Sequence, residues 1–159
     1  MLIATRSGKI NISKEKDTKL IAERLCKHIN LGDFILLTGN LGVGKTTFIK
    51  YIINSLQRKN RKEISEVPSP TFNITNEYQI KKILIKHYDL YRIKNEKELN
   101  NLGIQENLKK QITLIEWPEK AKKLKIKNNI NLKFKYNKSY TERYLTIICK
   151  NKKIINEFK

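Results

Sequence analysis

The segment Gly39-Asn40-Leu41-Gly42-Val43-Gly44-Lys45-Thr46 has the spacing G-x-x-x-x-G-K-[ST]. In that spacing glycines let backbone N–H groups converge on a phosphate, and the helix that follows turns the positive end of its dipole toward it. Lys45 would bring a full charge to the β- and γ-phosphates of a nucleotide, and the Thr46 hydroxyl is a hard oxygen ligand suited to Mg²⁺. The candidate nucleotide-binding segment is therefore Asn40, Leu41, Gly42, Val43, Gly44, Lys45, Thr46 and Thr47. Two acids stand where they can complete it. Glu116 closes the apolar run Ile112-Thr113-Leu114-Ile115, the form of a strand that carries a carboxylate beside a phosphate loop to hold Mg²⁺. Asp89, in His87-Tyr88-Asp89-Leu90-Tyr91-Arg92, ends another strand, where α/β sheets present catalytic groups. Lys45, Asp89 and Glu116 are the candidate catalytic set, Thr46 and Glu116 the candidate metal ligands, and Asp89 the residue to orient or activate water.

These residues need a scaffold, and the chain supplies one in order. Phe34-Ile35-Leu36-Leu37 is a strand leading into the loop, and Phe48, Ile49, Ile52, Ile53 and Leu56 form the apolar stripe of a helix running to about Leu56. A polar, solvated exit is expected from Gln57 to Glu63. Before the loop, Lys9 to Ile12 alternates like an edge strand. Ser13 is placed as a helix N-cap, and Leu20, Ile21, Leu25, Cys26 and Ile29 share one helical face. Asn73 to Ile80 and Ile83 to Tyr88 flank the tight Lys81-Lys82 turn and predict an antiparallel hairpin. Short helical pieces are expected over Glu96 to Leu102, with Asn95 as cap, and over Ile104 to Leu108. Two strands follow at Ile130 to Tyr136 and Tyr144 to Cys149. In Glu66-Val67-Pro68-Ser69-Pro70-Thr71-Phe72, prolines on both sides of Ser69 stiffen the backbone, a geometry suited to a nucleotide-sensing loop. The predicted fold is a P-loop NTPase-like α/β fold of three layers with a mixed parallel and antiparallel sheet. It forms a single ATPase domain over residues 1–159, with 150–159 a frayed basic tail.

The 159 residues suffice for a core without metals or disulfides. Cys26 and Cys149 fall in apolar patterns with no ligand spacing and are expected to be buried and reduced. The stretch Met1 to Gly8 has no long apolar core, and no run approaches the ~20 residues needed to cross a bilayer, so a cytoplasmic protein with no membrane partner is expected. The net charge of +19 raises RNA as a partner. Much of that charge comes from Lys, over-used throughout the chain together with Asn and Ile, and specific phosphate contacts favour Arg.

A GTPase would need N-K-x-D and D-x-x-G, but Asn137-Lys138-Ser139-Tyr140 lacks the aspartate and Asp89-Leu90-Tyr91-Arg92 lacks the glycine. A small-molecule kinase closes an Arg-rich lid over the reacting phosphate, and beyond the loop only Arg92 and Arg143 are candidates for that role. Water is the favoured acceptor. A kinase, and a nucleotide-dependent binding module without turnover of its own, stand as alternatives.

The loop Gly39 to Thr47, then Ser69-Pro70-Thr71-Phe72, His87 to Arg92 and Leu114-Ile115-Glu116-Trp117-Pro118-Glu119, in this order, resemble the TsaE family of bacterial ATPases in tRNA threonylcarbamoyladenosine biosynthesis. The resemblance covers most of the chain. It implies ATP hydrolysis with Mg²⁺ in support of the modification of adenosine 37 in tRNAs reading codons that start with A. The implied partners are the threonylcarbamoyl transferase and its dimerisation partner, with tRNA engaged directly or indirectly. It puts the Mg²⁺ ligands on Thr46 and Glu116, the phosphate-loop lysine on Lys45 and the motif acid on Asp89. It also suggests Thr18, with Ser13, near the adenine. Asn40 departs from the Asp common in the family, yet keeps the turn chemistry.

Overall fold

The computed structural model describes residues 5–124, 126 and 129–159; the first four residues of the N-terminal stretch lie outside these. The elements run β1 (Thr5–Arg6), β2 (Ile10–Asn11), α1 (Glu15–Cys26), β3 (Phe34–Thr38), α2 (Lys45–Lys59), β4 (Thr75–Ile80), β5 (Ile83–Asp89) and α3 (Glu96–Asn101). They continue with β6 (Gln111–Glu116), β7 (Asn129–Tyr136), β8 (Arg143–Cys149) and α4 (Lys152–Glu157). The strands form one eight-stranded sheet in the order β1-β8-β7-β3-β6-β5-β4, with β2 also paired to β8. Its centre is parallel: β3 lies between β7 and β6, and β5 adds to β6 in the same direction. The predicted hairpin adds β4 antiparallel at one side, and β8 continues the sheet antiparallel at the other.

A parallel strand at the centre of such a sheet is buried on both faces and must be apolar on both. β3 meets this requirement residue by residue. Ile35 and Leu37 join the large core under α1, α2 and α4, whereas Phe34 and Leu36 join a second cluster with Tyr88, Leu90, Leu99 and Ile104 on the α3 side. The same division in β6 sends Ile112 and Leu114 one way and Ile115 the other. These clusters make the α/β layers expected, with helices on both sides of a mixed sheet.

Several local expectations are corrected. Ser13 does not cap α1: Lys14 holds the N-cap position without a side-chain bond, and the Ser13 hydroxyl instead accepts the Arg143 N–H of β8 at 2.9 Å. α2 extends to Lys59 because Gln57 is buried rather than solvated, its amide bonded to Ser65 at 2.7 Å. No regular helix forms over 104–107; a 3-10 turn at Leu108–Lys110 leads into β6. The tail is not frayed. Ile154, Ile155 and Phe158 enter the core, so 152–157 folds as α4, and Arg24 of α1 grips it through Glu157 at 2.8 Å and the Phe158 ring at 5.1 Å. The basic composition of the tail hides these three apolar anchors. Asn95 caps α3 as expected, accepting from Glu98 N at 3.0 Å. Cys26 and Cys149 are free and buried. Among the described residues no helix is long and apolar enough to cross a membrane.

Candidate functional site

The parallel strands β3, β6 and β5 end side by side, and the loop Gly39 to Gly44 turns from β3 into α2 at that edge. Gly39 is required there. Its φ is +144°, and a Cβ on it would lie 2.6 Å from the Phe134 carbonyl oxygen. Val43 points into the core and is fully buried, which anchors the loop from beneath, while Leu41 on the outer side is exposed.

Register brings the acids together. Asp89 is the pairing partner of Glu116 across β5 and β6, and Glu116 in turn pairs with Leu37 of β3, one residue before the strand end. The Thr46 hydroxyl, in the first turn of α2, donates to Glu116, 2.8 Å from Oε1 and 3.1 Å from Oε2. Lys45 is 4% exposed and donates from Nζ to the carbonyls of Gly39 at 2.7 Å and Asn40 at 3.0 Å, with the Trp117 ring centroid 4.0 Å away. Burial pushes its pKa below the usual lysine value, opposed by the negative charges of Glu116, Asp89 and Glu119. Asp89 is fixed at both oxygens: Thr71 donates to Oδ2 at 2.8 Å, with Ser69 at 3.4 Å, and the Tyr91 N–H donates to Oδ1 at 3.0 Å. A cavity of about 180 Å³ is lined by Leu41, Gly42, Gly44, Lys45, Thr46, Thr47 and, across from them, Ser69, Thr71, Asp89, Glu116 and Trp117.

The structure thus gathers Lys45, Thr46, Thr47, Asp89 and Glu116 about one cavity with the loop backbone. Asn40 contributes its carbonyl to Lys45, with its own side chain exposed. Thr18 is not in this group. It is buried in α1, and its hydroxyl donates to the Ile12 carbonyl at 3.0 Å. Arg143 does reach the loop: its Nη1 lies 3.3 Å from the position of a Cβ on Gly44, and its Nη2 donates to the Ser13 carbonyl at 2.7 Å. Arg92 lies over the Phe72 ring at 4.5 Å.

Two further contributors escape the sequence argument. His87 is fully buried, and its Nε2 lies 2.9 Å from Glu116 Oε1 while Nδ1 has no partner. A carboxylate accepts, so Nε2–H is the donor, and the imidazole fixes the rotation of the acid. The signal was available: His87 and Asp89 are two apart on one strand and share its face. Trp117 adopts φ +59° between β6 and Pro118, which turns its ring back over Lys45 and against Tyr91, 5.0 Å between centroids.

A glycine loop between a central parallel strand and a helix, with an acid at the end of the neighbouring parallel strand bonded to the helix's first hydroxyl, defines a P-loop α/β protein. The family model described as "Threonylcarbamoyl adenosine biosynthesis protein TsaE" matches residues 12–145. The chain belongs to the TsaE family. It is 40% identical over 113 residues to the "tRNA threonylcarbamoyladenosine biosynthesis protein TsaE" of Rickettsia prowazekii, covering 71% of this chain and 76% of that protein. The protein of that name from Rickettsia felis is 39% identical over 71% of this chain, and the match spans 64% of its own length. The Aquifex aeolicus protein is 36% identical over 70% of this chain and 77% of its own. The crystal structure of Bacillus subtilus YdiB has the same fold, with a TM-score of 0.73 over 98% of this chain and 93% of that one at 23% identity.

Proposed function

We propose that the chain is an ATPase supporting threonylcarbamoylation of adenosine 37 in tRNAs that read codons starting with A, in concert with the threonylcarbamoyl transferase and its dimerisation partner. In this proposal residues 1–159 act as one ATPase domain. The observation that carries it is the Thr46–Glu116 bond at 2.8 Å beside Lys45 and Asp89 on one small cavity. The names of the relatives support the pathway.

The donor set suits Mg²⁺, which needs only one or two carboxylates plus hydroxyl, water and phosphate oxygens; Thr46 and Glu116 would hold it. When bound, the ion would neutralise charge on the β- and γ-phosphate oxygens. The residues of the chain do the rest. The backbone amides from Leu41 to Thr47 and the Lys45 ammonium bind the phosphates, with Lys45 presented by the Gly39 and Asn40 carbonyls and shielded from solvent by Trp117. Asp89, locked by Thr71 and Tyr91, orients the attacking water and accepts its proton as the γ-phosphorus–oxygen bond to ADP breaks. The Ser69-to-Thr71 loop bonds directly to that base, so its position reports on the reacting end of the nucleotide.

Phosphate release by wild type and Lys45→Ala, with and without the transferase pair, tests the proposal. Loss of turnover in the variant is expected under both conditions. Near-normal release by Lys45→Ala would overturn it, and formation of a phosphorylated small molecule in place of free phosphate would favour a kinase.

A further inference from the structure

Among the described residues, part of the sheet is left uncovered. On β7 and β8 the residues Ile130, Leu132, Phe134, Leu145, Ile147 and Cys149 point into the core, and the intervening ones stand on the other side. There Lys133 is paired with Thr146 and Lys135 with Tyr144, both lysines exposed. An α/β sheet ordinarily has helices on both faces. Here the second cluster, built on β3, β5, β6 and α3, draws nothing from β7 or β8. A groove of 660 Å³ runs over this bare face, and Arg6, Lys9 and Lys138 bring its cations to five.

Among the described residues none of these five makes an ion pair, whereas Arg24, Arg58, Lys86 and Lys123 do. Glu142 adjoins the groove through Asn137 and Tyr144, and its oxygens are engaged by those two residues and Asn11. Lys133 and Lys135 follow each other along the strand at about 6.8 Å, two residues of strand rise, so they present charge at a repeat along one line. Tyr144, half-buried and paired with Lys135, lines the same groove. Cores of protein–protein interfaces are depleted in lysine. A repeating line of unpaired cations beside an aromatic ring on an open sheet face is the arrangement that tracks a nucleic-acid backbone.

We propose that this groove binds the sugar-phosphate backbone of RNA. The inference rests on the function proposed above only in naming tRNA as the RNA to try; the nucleotide cavity lies at the strand ends and uses other residues. It gives the basic charge a located role rather than a diffuse one.

Fluorescence anisotropy of the full chain with labelled unmodified tRNA and with oligouridylate tests it. Lys133→Glu/Lys135→Glu should weaken binding on the order of tenfold or more and lower the salt slope by about 1.4 to 1.8, for two lost phosphate contacts. Lys109→Glu/Lys110→Glu, the same charge change in the turn before β6, should shift affinity by no more than about twofold if the site is local. Phosphate release should be unchanged in both pairs. Equal losses in the two pairs would overturn the proposal in favour of diffuse attraction, and undiminished RNA binding in the groove variant would overturn it by placing the RNA elsewhere on the chain. Absence of RNA binding by a wild type that still releases phosphate would overturn the groove and leave the ATPase proposal standing.

Discussion

Gly39 and Gly42 belong to one motif, yet alanine at the two positions should behave differently. At Gly39 the backbone is at φ +144°, and the new methyl would lie 2.6 Å from the Phe134 carbonyl oxygen, 2.9 Å from Phe134 Cβ and 3.1 Å from Val43 Cγ1. Phe134 cannot retreat freely: it is 1% exposed and packed edge-to-face on Phe48 at 5.6 Å. The backbone conformation costs a non-glycine residue about 1–3 kcal/mol, and forcing a methyl into a packed core another ~1–3 kcal/mol. Gly39→Ala should therefore destabilise by about 2–6 kcal/mol, a large share of a typical domain stability of about 5–15 kcal/mol. Gly42 has φ +75° and no atom within 4 Å of an added Cβ, so Gly42→Ala meets only the left-handed cost of about 1–2 kcal/mol. Guanidinium unfolding of each variant without nucleotide, at constant slope, separates them. A Gly39→Ala loss below about 1 kcal/mol, or one no larger than that of Gly42→Ala, would refute the packing argument.

Glu116→Gln keeps the shape and an acceptor for Thr46 and His87 but removes the charge. It should lower phosphate release by about 100-fold or more while changing nucleotide affinity in EDTA by less than about threefold; paired kinetics and equilibrium titration check this. Cys26 is pushed by burial from its ordinary 9.0 to about 12, so the folded state holds its proton longer than the unfolded one. Stability should accordingly be full below pH 9.0 and fall by up to about 1.4 kcal/mol per unit as pH rises toward 12. Cys26→Ala should flatten that fall in unfolding curves taken from pH 8 upward. Arg24→Ala removes both the Glu157 bond and the Phe158 contact, and amide exchange over 152–158 should accelerate while exchange in β3 and phosphate release stay at wild-type values.

The phosphate loop and its flanking strand and helix were legible because each is local: a glycine spacing, an apolar run and a helical stripe within about twenty residues of chain. The hairpin of β4 and β5 was legible for the same reason. The pairing of Asp89 with Glu116 is non-local: each acid was expected at a strand end, and register sets the two side by side. What sequence patterns could not resolve was competition for the same group. The Ser13 hydroxyl has the chemistry of a cap, but β8 delivers the Arg143 N–H to it from 130 positions away. Gln57 belongs to a polar run by composition, yet Ser65 returns to satisfy its amide and allows burial. Lys-rich sequence masked α4 because three apolar side chains suffice to dock two turns when α1 offers Arg24 and a core to meet them.

The buried polar groups at the strand ends also argue for a unit rather than for separate residues. Buried polar side chains persist where every partner is supplied. Here Glu116 receives Thr46 from α2 and His87 from β5, and Asp89 receives Thr71 from the preceding loop and Tyr91 N from the chain beyond. His87 and Asp89 stand on one face of β5, so a shift of that strand end moves the support of Glu116 and the acceptor of Thr71 together. Trp117 extends the connection, since its ring touches both Lys45 and Tyr91. Thr46 is thereby joined to the Ser69-Pro70-Thr71 loop through Glu116, His87 and Asp89, with bonds of 2.8 Å at each carboxylate. That loop leads directly to Phe72, which is 81% exposed and stacked by Arg92. A change at the phosphate cradle therefore has a short, bonded path to an exposed aromatic on the surface.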